Sequence, residues 1–252
     1  MLTAAQRELL DVVLVAPRNP LNIGAVARAM ANFGFEHLSV AAPFAPNWRE
    51  ARSAVGAPDL LRDAREFATL AEAVAPCTLV AGTGTLTHRQ PDQRVASLPE
   101  LEPLLRRELA GGGRAALVLG PEKHGLTRED LSYCHLLVEI PTDPRQPSMN
   151  LGQAAAVCLY ELARPAAQPV EAAGEMGEAA ASSGSLDRLA WLIEETMAAA
   201  NYSPPSMEAA NRYDARILLR KLGLSTLDTR RVMGLFRRIL WRLNRRGGAD
   251  EK

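Results

Sequence analysis

Ala115-Ala116-Leu117-Val118-Leu119-Gly120-Pro121-Glu122-Lys123-His124-Gly125-Leu126-Thr127, continued by Leu136–Ile140 and Pro147-Ser148-Met149-Asn150, is the stretch that decides the fold. Twice a short apolar run ends in a polar turn, and each turn leads into a helical pattern running on toward Glu161. Apolar runs of this length, bounded by turn residues, read as strands buried on both faces. Strands alternating with helices argue for a parallel α/β sheet covered on both sides. Ligands of open α/β sheets lie outside the carboxyl ends of strands, which makes these two turns the site candidates.

Two nucleotide readings of the glycines fail. Gly120 and Gly125, with Thr127 behind them, have the spacing of a phosphate loop. The lysine that would reach the phosphates is replaced by Leu126. Gly82-Thr83-Gly84 follows the apolar run Thr78–Ala81, but the third glycine of a dinucleotide fingerprint would fall at 87, where Thr87 stands.

Working outward, Asp11–Ala16 reads as a buried strand and Asn22 as the cap of a helix with apolar Ile23, Val26, Ala27, Met30 and Phe33. Gly34 stands where that helix should end. A second strand covers His37–Ala41, a further helix falls within Pro58–Ala75, and a third strand is Thr78–Ala81. Thr83–Ser97 reads as a long polar loop, followed by a helix over Leu98–Leu109. The helix Asn150–Ala163 is apolar or small nearly all round, which suits a core or a subunit interface. Arg164–Ser183, rich in Ala, Pro, Glu, Gly and Ser, reads as a linker. Beyond it Ser185 is expected to cap one helix and Tyr213–Leu222 to form another. Ser225-Thr226-Leu227-Asp228 is a capping box opening the last helix. The expected organisation is a domain over 1–164, a linker over 165–184 and a helical, arginine-rich extension over 185–246.

The 252 residues are 47% hydrophobic, ample for a core, and carry no net charge. The charge is unevenly placed. Between Arg212 and Arg246 stand eleven Arg or Lys against two acids, a local charge of +9. Arg230, Arg231, Arg237, Arg238 and Arg242 belong to this run. A solvated basic face and a phosphate-binding face are both open readings; arginine over lysine favours the second, because guanidinium pairs bidentately with phosphate. Cys77, Cys134 and Cys158 form no C-x-x-C, which fits reduced thiols in a cytoplasmic protein and argues against a cysteine zinc site. No apolar run approaches the roughly 18 residues of a membrane span.

Three polar turns can meet at strand ends: Asn22 to Arg28, Gly120 to Glu122, and Ser148 to Asn150. On the first helix Gly24, Arg28 and Asn32 stack at four-residue spacing. In order, Asn22-Ile23-Gly24 through Arg28, Leu119-Gly120-Pro121-Glu122 to Gly125-Leu126, and Ile140-Pro141 with Ser148-Met149-Asn150-Leu151 match three motifs of a known family. Over about Asp11–Leu162 the chain resembles the SpoU branch of the SPOUT RNA methyltransferases. The basic tail is similar to that of tRNA ribose methyltransferases of the TrmJ type. Pro121 stands where the family often has arginine.

The resemblance implies an α/β domain with a trefoil knot in its carboxyl half, S-adenosylmethionine as cofactor, no metal, and a homodimer with the site at the subunit interface. It implies methyl transfer to a ribose 2′-hydroxyl, on tRNA first, with the anticodon loop as one target; ribosomal RNA, or a catalytically silent RNA-binding assembly role, are the alternatives. Cofactor contacts are expected from Thr83, Gly84, Thr85, Gly120, Glu122, Ile140, Pro147, Ser148, Met149 and Asn150. Catalytic positions are expected at Arg28, Asn22, Glu122, Ser148 and Asn150. RNA contacts are expected from Arg28, Arg230, Arg231, Arg237, Arg238 and Arg242. A free 2′-hydroxyl is a poor nucleophile. Arg28 would either take its proton, against the very weak basicity of guanidinium, or hold the ribose and a neighbouring phosphate.

Overall fold

The computed structural model describes residues 1–44, 48–51, 53–84, 91–164, 179–202 and 204–247. After a short capped helix α1 (Ala4–Arg7), the chain enters β1 (Leu10–Val15), every residue of which is buried. Helix α2 (Pro20–Phe33) and strand β2 (His37–Ala41) follow, then α3 (Pro58–Asp63), β3 (Arg65–Phe67) and α4 (Leu70–Val74). The second half of the sheet is β4 (Leu79–Thr83), β5 (Arg94–Ser97), α5 (Leu98–Ala110), β6 (Ala115–Leu119), α6 (Arg128–Ser132) and β7 (Leu136–Glu139). Helix α7 (Leu151–Ala163) closes this part, and α8 (Ser183–Ala199), α9 (Glu208–Lys221) and α10 (Thr226–Gly247) follow.

The seven strands lie in the order β3-β2-β1-β6-β4-β7-β5, and every pairing is parallel. Val12 sits between Leu38 on one side and Leu117 on the other. The sheet thus separates two apolar layers. One, with Ile23, Met30, Phe35 and Leu159, is covered by α2, α5 and α7. The other, with Val13, Val80, Val118 and Leu131, lies under α4 and α6. A third, smaller cluster holds α8, α9 and α10 together through Leu186, Leu189, Leu219 and Phe236.

Several sequence expectations need correction. β3 divides the span Pro58–Ala75, which holds two helices rather than one, and β5 lies in the expected polar loop Thr83–Ser97. β3 and β5 are the two edge strands, and β3 exposes Arg65 and Glu66. Short charged edges carry no apolar run to announce them, and such edges resist pairing with foreign strands. β4 runs two residues beyond Ala81 and takes Thr83 into the sheet. The cap of α2 is Asn19, whose side chain accepts from the Leu21 amide, with Pro20 at the first helical position. Asn22 therefore lies inside the first turn. Gly34 does end this helix, in the left-handed conformation at φ 69°. Ser182 rather than Ser185 caps α8, and α9 begins at Glu208, well before Tyr213.

Residues 165–178 of the expected linker lie outside the described residues. Its last residues are fixed: Ser183 N–H donates to Cys77 O at 2.7 Å and Gly184 N–H to Ala75 O at 2.9 Å. The Ser225–Asp228 box forms as expected, the Asp228 amide donating to Ser225 Oγ at 3.0 Å. The helical extension docks on the α4–α6 side of the sheet domain. Arg216, only 3% exposed, pairs with Glu129 at 2.7 Å and with the Tyr133 hydroxyl. Arg220, 6% exposed, donates to Tyr133 O at 3.2 Å and to Ser183 Oγ at 2.9 Å. Arg212 is held by Glu194 at 2.8 Å. Three arginines of the basic run are thus engaged within the protein, while Arg230, Arg231, Arg237, Arg238, Arg242 and Arg245 are exposed on α10.

Candidate active site

At the carboxyl ends of β4, β6 and β7 the chain leaves a cleft of about 240 Å³. Three segments wall it: Thr83 and Gly84, the turn from Leu119 to Gly125, and the loop Ile140–Met149 with the start of α7. The middle wall depends on glycine. A Cβ on Gly120 would lie 2.3 Å from the Leu126 amide and 2.4 Å from the Gly125 carbonyl carbon, so only glycine lets the turn fold back onto itself. Beside Gly84 and Gly125 a Cβ would meet nothing within 4 Å among the described residues. The backbone there is open to a ligand. In the third wall Thr142 Oγ1 donates to Pro147 O at 3.2 Å, closing the loop, and Arg145 and Asp143 pair with each other at 2.9 Å. Thr83 directs its hydroxyl away, to Val118 O at 3.1 Å, and offers the cleft mainly backbone.

A polar relay adjoins this cleft. Glu122 accepts from the Asn22 amide at 2.9 Å and from the backbone N–H groups of Arg18 and Asn19, both at 3.2 Å. Asn22 in turn accepts from the Asn150 side chain at 2.9 Å, and Asn150 accepts from the Gly152 N–H at 2.9 Å. Every donor points the same way, toward the carboxylate. Partial burial pushes the Glu122 pKa up. The Asn22 amide and the backbone donors of Glu122, Arg18 and Asn19 outweigh it, and the group ends below its ordinary value. Glu122 is thus an ionised acceptor already engaged by four donors, its own N–H among them, suited to fixing its neighbours rather than to taking a proton.

Gly84, Gly120, Glu122, Ile140, Pro147, Ser148 and Met149 all line the cleft. Thr85 lies outside the described residues. Asn22 and Asn150 stand behind the lining, linked to it through Glu122. Arg28 is not among the lining residues; it is exposed on α2, six residues beyond Asn22 and so about 9 Å further along the axis. Among the described residues it makes no hydrogen bond or ion pair. The arginines of α10 are on a separate element and likewise do not line the cleft. Sequence reasoning missed Lys123, His124 and Thr142 as lining residues. The first two lie in the same turn as Glu122, and that adjacency was the available signal. The cap expected at Asn22 stands at Asn19, because Asn19-Pro20 forms the cap and first helical residue rather than the end of a loop.

The profile of the SpoU rRNA Methylase family matches residues 9–160. The chain belongs to the SpoU rRNA methylase family. The matched span covers the sheet, all three cleft walls and α7 as far as Tyr160. The chain is 40% identical over 156 residues to the tRNA (cytidine/uridine/adenosine-2′-O-)-methyltransferase TrmJ of Pseudomonas aeruginosa, covering 60% of this chain and 59% of that one. It is 36% identical over 156 residues to the tRNA (cytidine-2′-O-)-methyltransferase TrmJ of Methanocaldococcus jannaschii, covering 61% of this chain and 67% of that one. The matched part is thus about three fifths of the length of the Pseudomonas relative. The crystal structure of TrmJ from Z. mobilis ZM4 superposes with a TM-score of 0.80 at 28% identity, over 91% of this SpoU chain and 98% of that one. Coverage of that extent carries the likeness past the sheet into the carboxyl-terminal helices.

Proposed function

We propose that the protein is an S-adenosylmethionine-dependent RNA ribose 2′-O-methyltransferase acting on tRNA. The observation that carries this reading is that the second and third family motifs wall one cleft, and that the first is tied to its side at Asn22 through Glu122 and Asn150. The names of the TrmJ relatives support tRNA and the 2′-hydroxyl as the target.

The residues present fit the cofactor. Gly84 and Gly125 leave open backbone, Leu119, Ile140 and Met149 supply apolar wall, and no phosphate-loop lysine is needed for a ligand without phosphates. Thr83, Gly84, Gly120, Ile140 and Pro147–Met149 would hold it, and Thr85 belongs to the same segment. Bound there, S-adenosylmethionine supplies an activated methyl group. Among the described residues no group of His, Cys, Asp and Glu is placed to hold a metal.

The chain's own part is binding and orientation. Ser148, exposed at the cleft wall, is placed to hydrogen-bond an entering ribose. Asn22 and Asn150 hold the start of α2 against the start of α7, so the two walls keep their spacing. Arg28 serves by positioning ribose and phosphate, a role that leaves its guanidinium protonated. A homodimer completes this reading. Leu21 on α2 and Val157 and Tyr160 on α7 are exposed large apolar residues on neighbouring helices, and Arg28 is exposed on the same α2. Burying that face against a second copy would bring Arg28 into a subunit interface beside the cleft. The knot belongs to the carboxyl half, where β4 is inserted between β6 and β7 and the Ile140–Met149 loop closes the cleft. RNA contacts fall to Arg28 and the exposed arginines of α10, and a cytoplasmic location follows from the substrate.

The test is methyl transfer from radiolabelled S-adenosylmethionine to separate tRNA and ribosomal RNA pools, with nuclease mapping of the labelled nucleotide. Label resistant to alkaline cleavage, in tRNA, is the expected result. Label only in ribosomal RNA would overturn the substrate. Label on a base, or none with either pool, would overturn the activity.

A further inference from the structure

Helix α10 presents two unlike faces. Thr229, Val232, Met233 and Phe236 turn toward α8 and the small third core. The opposite side carries Arg230, Arg231, Arg237, Arg238, Arg242 and Arg245, all exposed, and among them Trp241 at 43% exposure. Trp241 is not part of the core cluster. The Arg238 guanidinium lies 4.5 Å from its ring centroid and that of Arg245 4.7 Å, the i−3 and i+4 neighbours on one helix face. Two turns earlier on this side is Gly234, where an added Cβ would meet nothing within 4 Å. The helix surface is flat there, between paired arginines. The helix's one acid, Asp228, is engaged by the Ser225 cap and by Arg231 at 3.3 Å.

We infer that Trp241, flanked by Arg238 and Arg245, is a stacking platform for an unpaired base of the RNA substrate. The inference deepens the RNA-methyltransferase reading and rests on it. A half-exposed ring with two guanidiniums lying over it suits a partner that offers both a π-surface and negative charge, so that a base can take the place of one guanidinium and its phosphate can keep that cation. An unpaired nucleotide offers both, and a paired base does not, because its faces are hidden in the duplex stack. Arg237 and Arg242, to either side, are placed for the phosphates that follow and precede the stacked base. Stacking of this kind is tolerant of base identity, so the platform selects looped over duplex RNA without reading sequence.

The experiment uses the full chain, an unmodified tRNA transcript and a perfectly paired RNA duplex, with affinities measured at several salt concentrations. Trp241→Ala should weaken binding of the transcript by about five- to a hundredfold, the effect of one lost base stack, and Trp241→Phe should retain most of the affinity. Duplex binding should not change. The salt slope should stay at the wild-type value in Trp241→Ala, whereas Arg242→Ala should lower it by about 0.7 to 0.9, one phosphate contact. Transcript affinity unchanged in Trp241→Ala overturns the platform while leaving the methyltransferase reading intact. So does a variant that loses a dimer on gel filtration yet binds the transcript as before, since that result gives the face to a second copy. A wild-type chain that binds neither RNA overturns the methyltransferase reading and the platform together.

Discussion

Glu122 is held by donors from three places in the chain, and its behaviour with pH follows from them. Its folded-state pKa lies below the ordinary 4.5, so the stability it contributes is complete above about pH 4.5 and is lost as the pH falls through the depressed value. Glu122→Gln puts an amide where two acceptor oxygens stood and leaves at least one of the Arg18, Asn19 and Asn22 donors facing an N–H. The expected cost at pH 7 is about 1 kcal/mol, at the low end for bonds to a charge because solvent still reaches the group. Urea unfolding of both proteins should show this difference at pH 7 and a shrinking gap as the pH falls below 4.5; a gap that stays constant down the acid limb would mean that the carboxylate charge is not the cause. Individual residues were the least legible scale in the sequence. Asn22 read as a cap because asparagine before an apolar helical pattern usually is one, and nothing local reveals that its partner lies a hundred positions away.

At the scale of elements, α2 and α7 meet through small residues. A Cβ on Gly152 would stand 2.7 Å from that of Ala25, so the helices are as close as their backbones allow. Gly152→Ala should force them apart at a cost of about 1–3 kcal/mol, the range for overpacked contacts, and should disturb the Asn22–Asn150 bond one turn away. Thermal unfolding measures the first effect. The second would appear as weakened S-adenosylmethionine binding in calorimetry, and a variant with wild-type stability would show that the contact yields freely. Elements were largely legible. The strands β1, β2, β4, β6 and β7 are four to six residues long and mostly apolar, with Asp11 and Ser39 buried among them, and burial on both faces favours such runs. The strands β3 and β5 were not legible, since an edge strand needs only one neighbour and Arg65-Glu66 can face water.

For the whole molecule, the carboxyl-terminal helices are a docked unit rather than a free arm. Arg216 and Arg220 bring two buried guanidiniums to Tyr133 and Glu129, just after the cleft turn. Both stack over the Tyr133 ring, at 4.5 and 5.7 Å from its centroid. Arg220→Ala would leave Tyr133 O and Ser183 Oγ without their donor in a closed interface, at a cost of about 3 kcal/mol. The docked helices should then become sensitive to limited proteolysis before the sheet domain does. Simultaneous cleavage of both parts would show instead that the interface does not set their coupling. The sequence disclosed the charge of this region but not its division. Arginine at 212, 216 and 220 looks like arginine at 230, 238 and 242, and only the fold tells which guanidiniums meet carbonyls and which meet solvent.

The relay from Gly152 through Asn150 and Asn22 to Glu122 joins positions 100 and 128 residues apart in the chain. Contacts of such separation close late, because the loops between them must first be confined. Even the central strand waits: Leu10 pairs with Ala115, so β1 cannot finish its ladder until most of the sheet has been synthesised. A nascent chain can therefore own every strand of its first half and still possess no cleft. The cleft is complete only when its last wall, Ile140–Met149 with the start of α7, is in place.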